Sequence, residues 1–216
     1  ETALGLFSVP SKIITSLQNL IPTAIGSVLF PTMSNYSANN PSKLNEVLHK
    51  SCFYLLCFSL PLSIGIFLFA DTIIHTLWGG SFKMSSSILK VLAFTLPFTF
   101  CTYPFGAYLN SSGHERMGTL NRGVVLLATV LIDIIVIPIF GIFGVAVGWL
   151  GTSIILFVMD LVSTARCIHL RWGYFAKSLA EIAFLVFLMG VLGYLLKPHL
   201  SIWFLVPILI FFYFGA

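Results

Sequence analysis

The sequence predicts an all-α integral membrane protein with about seven transmembrane helices. Of its 216 residues, 58% are hydrophobic and only 8% are charged, and the mean hydropathy is +1.01. Because soluble domains carry about 25% charged residues, this composition is typical of a chain whose solvent is the lipid bilayer. The apolar runs have the length of spanning helices and lack the alternation of strands, which argues against a β-barrel.

Each predicted span is a segment of about 20 mostly apolar residues. In chain order the segments are residues 5–32, 52–77, 86–109, 119–139, 141–165, 178–196 and 200–215. The longest connection, residues 34–50, is predicted to be a loop that leads into a short surface helix. The four cysteines form no CxxC pair, and we expect them to be small buried hydrophobes rather than metal ligands or disulfides.

The basic residues predict the orientation of the spans, because they mark cytoplasmic loops in membrane proteins. For the same reason the net charge of +4 does not indicate a nucleic-acid partner. The connections after the first, third and fifth spans hold Lys43, Lys50, Arg116, Arg122, Arg166, Arg171 and Lys177, whereas those after the second, fourth and sixth hold Lys83, Lys90 and Lys197. The first span should therefore run from the outer face inward. Since the chain begins at Glu1 without a signal peptide, we expect an N-terminal part with an odd number of spans before it.

The first span carries a stripe of polar residues on one helical face, at positions 8, 12, 15, 19 and 23. Facing lipid tails would be costly, so the stripe should face other helices or a wet cavity. The inclusion of Lys12 favours a cavity lining, to which Asn19 would also belong. Two alternatives stay open: hydrogen bonding between helices, and a Lys12 that reaches the outer interface.

The fourth span places Arg122, Thr129 and Asp133 on one face. Asp133 lies roughly 16 Å beyond Arg122 at about 1.5 Å per residue, so it is expected near the midplane of a ~30 Å core. A carboxylate there costs about 2.5–3.5 kcal/mol and should be protonated, paired or hydrated. It is either a proton or cation site or a structural hydrogen bond to a neighbouring helix.

Other residues are given structural interpretations. Asp160 and Glu181 are interpreted as interfacial charges near Arg166 or Lys177, and Asp71 and His75 as interfacial groups at the outer end of the second span. Gly144 and Gly148 form a GxxxG pair that permits close helix approach within the chain or between chains.

The motifs of the common enzyme classes are not found in the sequence. The chain has no Walker loop, no HExxH and no nucleophile elbow, and no cysteine pairs with metal-ligand spacing. We therefore expect neither an enzyme nor a bound metal or cofactor.

Four segments, in this order, resemble a known family. LGLFSVPSKIITSLQNLIPTAIGSVLFPTMS matches a glycine-aromatic-serine pattern with a basic residue, here Gly5 to Ser8 with Lys12, that ends in Leu-x-Pro-x-Met-Ser. It is followed by HTLWGGSFKMSSSILKVLAF, by AYLNSSGHERMGTLNR and by IDIIVIPIFGIFGVAVGWLGTS, the last with the signature P-x-[YF]-G-x-x-G-[AV]-[AG]. Together they resemble the polysaccharide biosynthesis and lipid-linked oligosaccharide flippases of the multidrug/oligosaccharidyl-lipid/polysaccharide exporter superfamily.

This resemblance implies the C-terminal lobe of a two-lobe, V-shaped transporter. Residues 1–170 would be second-lobe helices, about spans 8–12 of the whole protein, and residues 171–216 extra C-terminal transmembrane helices. The missing N-terminal lobe would then be a partner of this one.

The implied function is the flipping of polyprenyl-diphosphate-linked oligosaccharide across the cytoplasmic membrane by alternating access, for surface polysaccharide or glycan synthesis. Lys12 and Arg122 are the candidates for phosphate contact, Asn19 for the cavity lining, and Asp133 for ion coupling. Two alternatives remain: a multidrug or cation antiporter of the same superfamily, and a membrane-embedded transferase or a scaffold without transport activity.

Overall fold

The computed structural model describes residues 2–79, 82–168, 182, 185–193 and 213. These residues contain long helices and no strand, which confirms the predicted all-α class. In chain order the helices are α1 (Thr2–Asn39), α2 (Pro41–Trp78), α3 (Lys83–Ala93), α4 (Thr95–Ser111), α5 (Glu115–Phe140) and α6 (Ile142–Cys167). Five segments within this part are long and apolar enough to span a membrane, with α3 and α4 together forming one of them. They correspond to the first five predicted spans.

The polar segment 34–50 is helical, so the prediction of a loop there was wrong. Helix α1 continues to Asn39 and α2 begins at Pro41, with a single residue between them. Asn40 caps α2: its side chain accepts a hydrogen bond from the backbone N–H of Lys43 (3.2 Å). Each helix has 38 residues and is about 57 Å long, well beyond a ~30 Å hydrocarbon core. The end of an apolar run predicts where a chain leaves the membrane. It does not predict where the helix ends, because a helix can continue into water.

The third span is interrupted inside the apolar region. α3 ends at Ala93 and α4 starts at Thr95, after a turn at Phe94. The backbone oxygens freed by the break are satisfied by side chains: Ser63 of α2 donates to Ala93 O (2.8 Å), and Thr95 donates to Leu92 O (2.7 Å). Such satisfaction is required because no water is available within the hydrocarbon region.

Two apolar clusters form the core. One lies among α2, α3, α4 and the N-terminal half of α1, with Leu92, Leu96 and Phe100 fully buried. The other joins α2, α4 and the C-terminal half of α1 to Ile182, Val186, Met189 and Tyr213. Of the predicted spans 178–196 and 200–215, residues 185–193 are helical, and most of the remainder lies outside the described residues.

Of the cysteines, Cys52 and Cys101 are buried, Cys57 and Cys167 are half-buried, and all four are free.

Helices α5 and α6 form a tight antiparallel hairpin. Gly141 alone connects them, at φ +58°, a left-handed conformation that favours glycine. A Cβ atom on Gly144 would lie 2.7 Å from the backbone oxygen of Val136, so the two backbones touch at this point. The glycine pair therefore serves packing within the chain. Helix α4 packs against both α1 and α6, and α5 packs mainly on α6.

Candidate functional site

The polar stripe of α1 lies on the surface of the described chain. Lys12, Thr15, Asn19 and Thr23 are all exposed, one helical turn after another. None of these four side chains forms a hydrogen bond to another described residue, so the stripe does not hold the described helices together. Its first member, Ser8, is half-buried and donates to Gly5 O within the helix (3.0 Å). α1 thus presents a polar face with one cation to whatever lies beside it.

Hydrogen bonding between helices is supplied instead by Gln18, which the sequence reasoning did not single out from the polar residues of the span. Its amide is buried and donates to Thr95 Oγ1 (2.9 Å) and Thr99 Oγ1 (3.2 Å) on α4. Tyr103 of α4 also donates to the backbone oxygen of Gln18 (3.3 Å). These bonds attach the non-stripe side of α1 to the start of α4. The sequence did carry a signal that sets Gln18 apart: helical spacing places it on a different face of α1 from positions 15, 19 and 23.

Arg122 lies where α4 and α5 meet. Its Nη1 atom donates to Gly118 O (3.1 Å), and a Cβ atom on Gly106 of α4 would lie 3.1 Å from its Nη2 atom. Gly106 and Gly118 therefore leave the space in which the guanidinium sits. The residue remains exposed overall, so its remaining N–H groups are available to an anionic ligand.

Asp133 is half-buried and lies against α6. A Cβ atom on Gly148 would be only 2.7 Å from Asp133 Oδ1, so a larger residue at 148 would have to displace the carboxylate. Within the described part of the chain this carboxylate accepts no hydrogen bond and forms no ion pair. The structural alternative, a hydrogen bond to a neighbouring helix, is therefore not observed among these residues.

The interpretation of Asp160 as an interfacial charge beside Arg166 was wrong. Asp160 is fully buried between α5 and α6, and its Oδ1 atom accepts a hydrogen bond from Asn121 Nδ2 (2.8 Å). Arg166 is exposed, and the ion pairs of the described residues join Lys50 to Glu46 and Lys90 to Asp71. Asp160 and Arg166 are close in sequence, but a separation of six residues places their side chains on different faces of the helix. Asp71 accepts hydrogen bonds from Ser86 (2.6 Å) and Lys90 (2.7 Å), and its place at the outer end of the span stays a prediction.

The four candidate residues do not form one compact site. Lys12 and Asn19 lie on α1, whereas Arg122 and Asp133 lie on α5, and α4 packs between these helices. No group of three or more His, Cys, Asp and Glu side chains gathers among the described residues. The arrangement is a series of polar positions along the long apolar helices.

A bundle of long apolar helices with polar positions at membrane depth defines the class: this is a multi-pass membrane protein with a transporter fold. The family model described as "Lipid II flippase MurJ" matches residues 8–215. The chain therefore belongs to the MurJ flippase family, which confirms the resemblance seen in the sequence.

Curated relatives and a solved structure agree with this assignment. Agl15 of Haloferax volcanii, assigned as a low-salt glycan biosynthesis flippase, is 24% identical over 135 residues, or 62% of this chain and 29% of that protein. A Shigella flexneri protein assigned as an O-antigen transporter is 26% identical over 148 residues, or 68% of this chain and 34% of that protein. The structure of lipid II flippase MurJ in an inward closed conformation shares the fold, with a TM-score of 0.83 and 19% identity over 99% of this chain and 46% of that one. The chain thus spans about half of that structure and a third of the curated relatives.

Proposed function

We propose that the protein translocates a polyprenyl-diphosphate-linked oligosaccharide across the cytoplasmic membrane, for the synthesis of a surface polysaccharide or glycan. The family match over residues 8–215 supports a flippase, and the two curated relatives are assigned as a glycan biosynthesis flippase and an O-antigen transporter. In this proposal an N-terminal lobe completes the cavity, and alternating access moves the sugar while the polyprenyl tail stays in lipid.

The observation that carries the proposal is the exposed polar face of α1. A spanning helix cannot leave Lys12, Thr15 and Asn19 among lipid tails without a large cost, so this face must meet water or another protein surface. We infer that it lines the cavity between the lobes, where hydroxyl and amide groups can bind sugar hydroxyls. Lys12 then supplies a positive charge for the diphosphate.

On α5, Arg122 and Asp133 have different proposed roles. In this proposal Arg122, whose side chain is exposed, lies toward the cytoplasmic side and offers guanidinium N–H groups to a diphosphate that enters from there. Asp133, which has no partner among the described residues, is proposed to bind the coupling ion that resets the transporter. A half-buried carboxylate in this position also suits a multidrug or cation antiporter, which is the second candidate function.

The proposal is tested by comparing Lys12→Gln with Lys43→Gln in the full-length protein in liposomes. Both lysines are exposed, but Lys43 lies at the cytoplasmic start of α2, where its Nζ atom is over the Tyr36 ring (5.8 Å). We expect outward movement of a polyprenyl-diphosphate oligosaccharide to fall roughly tenfold or more with Lys12→Gln, because a charge-assisted contact is lost, and to stay near wild type with Lys43→Gln. Equal transport by the two variants would remove Lys12 from the substrate path.

A further inference from the structure

The interface between α5 and α6 contains two buried side-chain oxygens that have no hydrogen-bond partner among the described residues. Asp160 is fully buried, and while Oδ1 accepts from Asn121, the Oδ2 atom is buried without a hydrogen-bond partner. One turn further along α6, Thr164 is also fully buried and its Oγ1 atom has no partner. Two unsatisfied oxygens therefore lie on the same face of one helix.

The surrounding groups orient the carboxylate without neutralising it. Asn121 donates from Nδ2 to both Asp160 Oδ1 (2.8 Å) and Ser163 Oγ (3.0 Å), and Ser163 donates back to Asn121 Oδ1 (3.3 Å). All of these partners are uncharged. A buried carboxylate with one free oxygen is expensive unless a positive charge accompanies it.

The charged groups of the packed helices do not supply that charge directly. Helix α4, which packs against α6, has no Asp, Glu, His, Lys or Arg in its sequence. On α5 the nearby cation is Arg122, whose guanidinium donates to Gly118 O and does not come within 4.0 Å of the Asp160 carboxylate. Helix α1 carries Lys12, and α3 carries Lys83 and Lys90, of which Lys90 is paired with Asp71.

This position is separate from Asp133. Asn121 and Asp133 are 12 residues apart on α5, which corresponds to about 18 Å along the helix axis. Asn121 is also only six residues, about 9 Å, from the first residue of α5 at Glu115. The Asp160 group therefore lies toward the Glu115 end of the hairpin, well apart from Asp133.

We propose that Asp160 and Thr164, held by Asn121 and Ser163, form a second site for one small cation, a proton or a sodium ion. A proton would neutralise the carboxyl at Oδ2. A sodium ion would take Oδ2 and Thr164 Oγ1 as two of its oxygen ligands, a ligand type that hard cations prefer. The inference depends on the α5–α6 packing and not on which substrate the protein carries.

The experiment measures sodium binding and carboxyl protonation in the purified full-length protein, with choline chloride as the control salt. Wild type is compared with Asp160→Asn, Thr164→Val and Asp133→Asn. If sodium is the ligand, the sodium bound at this site, which Asp133→Asn retains, is lost in Asp160→Asn and is bound about tenfold more weakly in Thr164→Val, which keeps the carboxylate and side-chain volume. If a proton is the ligand, sodium has no effect and the infrared carbonyl band of a buried protonated carboxyl disappears in Asp160→Asn.

Other outcomes overturn the inference. If Asp160→Asn binds as much sodium as wild type and keeps the protonated-carboxyl band, Asp160 is a structural residue. Loss of sodium binding in Asp133→Asn with normal binding in both Asp160→Asn and Thr164→Val would place the ion at Asp133 alone. If Asp160→Asn fails to fold, Thr164→Val tests sodium binding instead. Asn121→Ala, which removes the donor to Oδ1, then tests proton binding: a shift of the carbonyl band supports a proton on Asp160, and an unchanged band contradicts it. Because these are binding measurements, a failure here leaves the proposed transport untouched, and a failure of transport leaves this site untouched.

Discussion

The carboxylate of Asp133 rests on Gly148 of the neighbouring helix, so closely that a Cβ atom at 148 would lie 2.7 Å from Oδ1. One turn earlier, Gly144 touches the backbone of Val136 in the same way. The two glycines thus accommodate different things: one an acidic side chain at membrane depth, the other a helix backbone. This difference separates the effects that substitution at each position should have.

Gly148→Ala should displace the Asp133 carboxylate and impair transport. The added methyl group must move a side chain, at a cost of about 1–3 kcal/mol, and the proposed ion position at Asp133 would move with it. Gly151→Ala is the matched control, because a Cβ atom there meets nothing within 4 Å. Ion-dependent transport of the two variants in liposomes checks this. Equal transport would show that the position of Asp133 has no effect on the ion.

Gly144→Ala should cost more stability than Gly148→Ala. The atom it meets is the backbone oxygen of Val136 at 2.7 Å, and backbone atoms cannot move aside without separating α5 from α6. We expect a loss at or above the upper end of about 1–3 kcal/mol, together with a lower unfolding temperature. Thermal unfolding in detergent measures both variants side by side. A Gly144→Ala protein as stable as wild type would contradict the tight backbone contact.

Gln18 and Asn19 are adjacent residues with opposite predicted effects. Gln18→Ala removes a buried donor to Thr95 and Thr99 and should lower stability by about 1–3 kcal/mol. Asn19→Ala changes an exposed residue of the polar stripe, so it should leave the unfolding temperature unchanged and lower transport. The pair is measured by thermal unfolding and by the liposome assay. The assignment of the two faces of α1 is wrong if Asn19→Ala is the destabilised variant.

Arg122→Gln should weaken transport through loss of its charge, with little change in stability. The guanidinium is exposed and makes one hydrogen bond to Gly118 O, so its contribution to folding is about 1 kcal/mol. Arg116→Gln is a control, since Arg116 is exposed in the first turn of the same helix. Titration of transport against substrate concentration should show a raised half-saturating concentration for Arg122→Gln alone. The same value for both variants would indicate that any basic residue of this region suffices.

The all-α class could be predicted from the sequence, because a chain surrounded by lipid must satisfy its backbone hydrogen bonds internally. Long apolar runs with few charges can satisfy their backbone in lipid only as helices, so five of the predicted spans coincide with observed ones. Helix ends beyond the bilayer were not predictable in this way. Residues 34–50 are polar, and polarity alone does not separate a loop from a helix that has left the membrane.

The candidate site was less predictable, because it depends on which helices pack together. Helical spacing correctly placed Lys12, Asn19 and Thr23 on one exposed face. It could not show that Gln18 would meet Thr95, which is 77 residues away, or that Asp160 would meet Asn121, 39 residues away. Both are contacts across helix interfaces, and a single sequence carries no local signal for them.

The most direct test of the central claim follows two substrates in liposomes that contain the full-length protein. One is a polyprenyl-diphosphate oligosaccharide placed in the leaflet that corresponds to the cytoplasmic side, and the other is a cationic dye. Movement of each is measured with wild type and with Asp133→Asn. The account predicts that wild type moves the lipid-linked sugar and not the dye, and that Asp133→Asn abolishes ion-driven movement. Export of the dye without movement of the sugar would contradict it and would identify the protein as a cation antiporter.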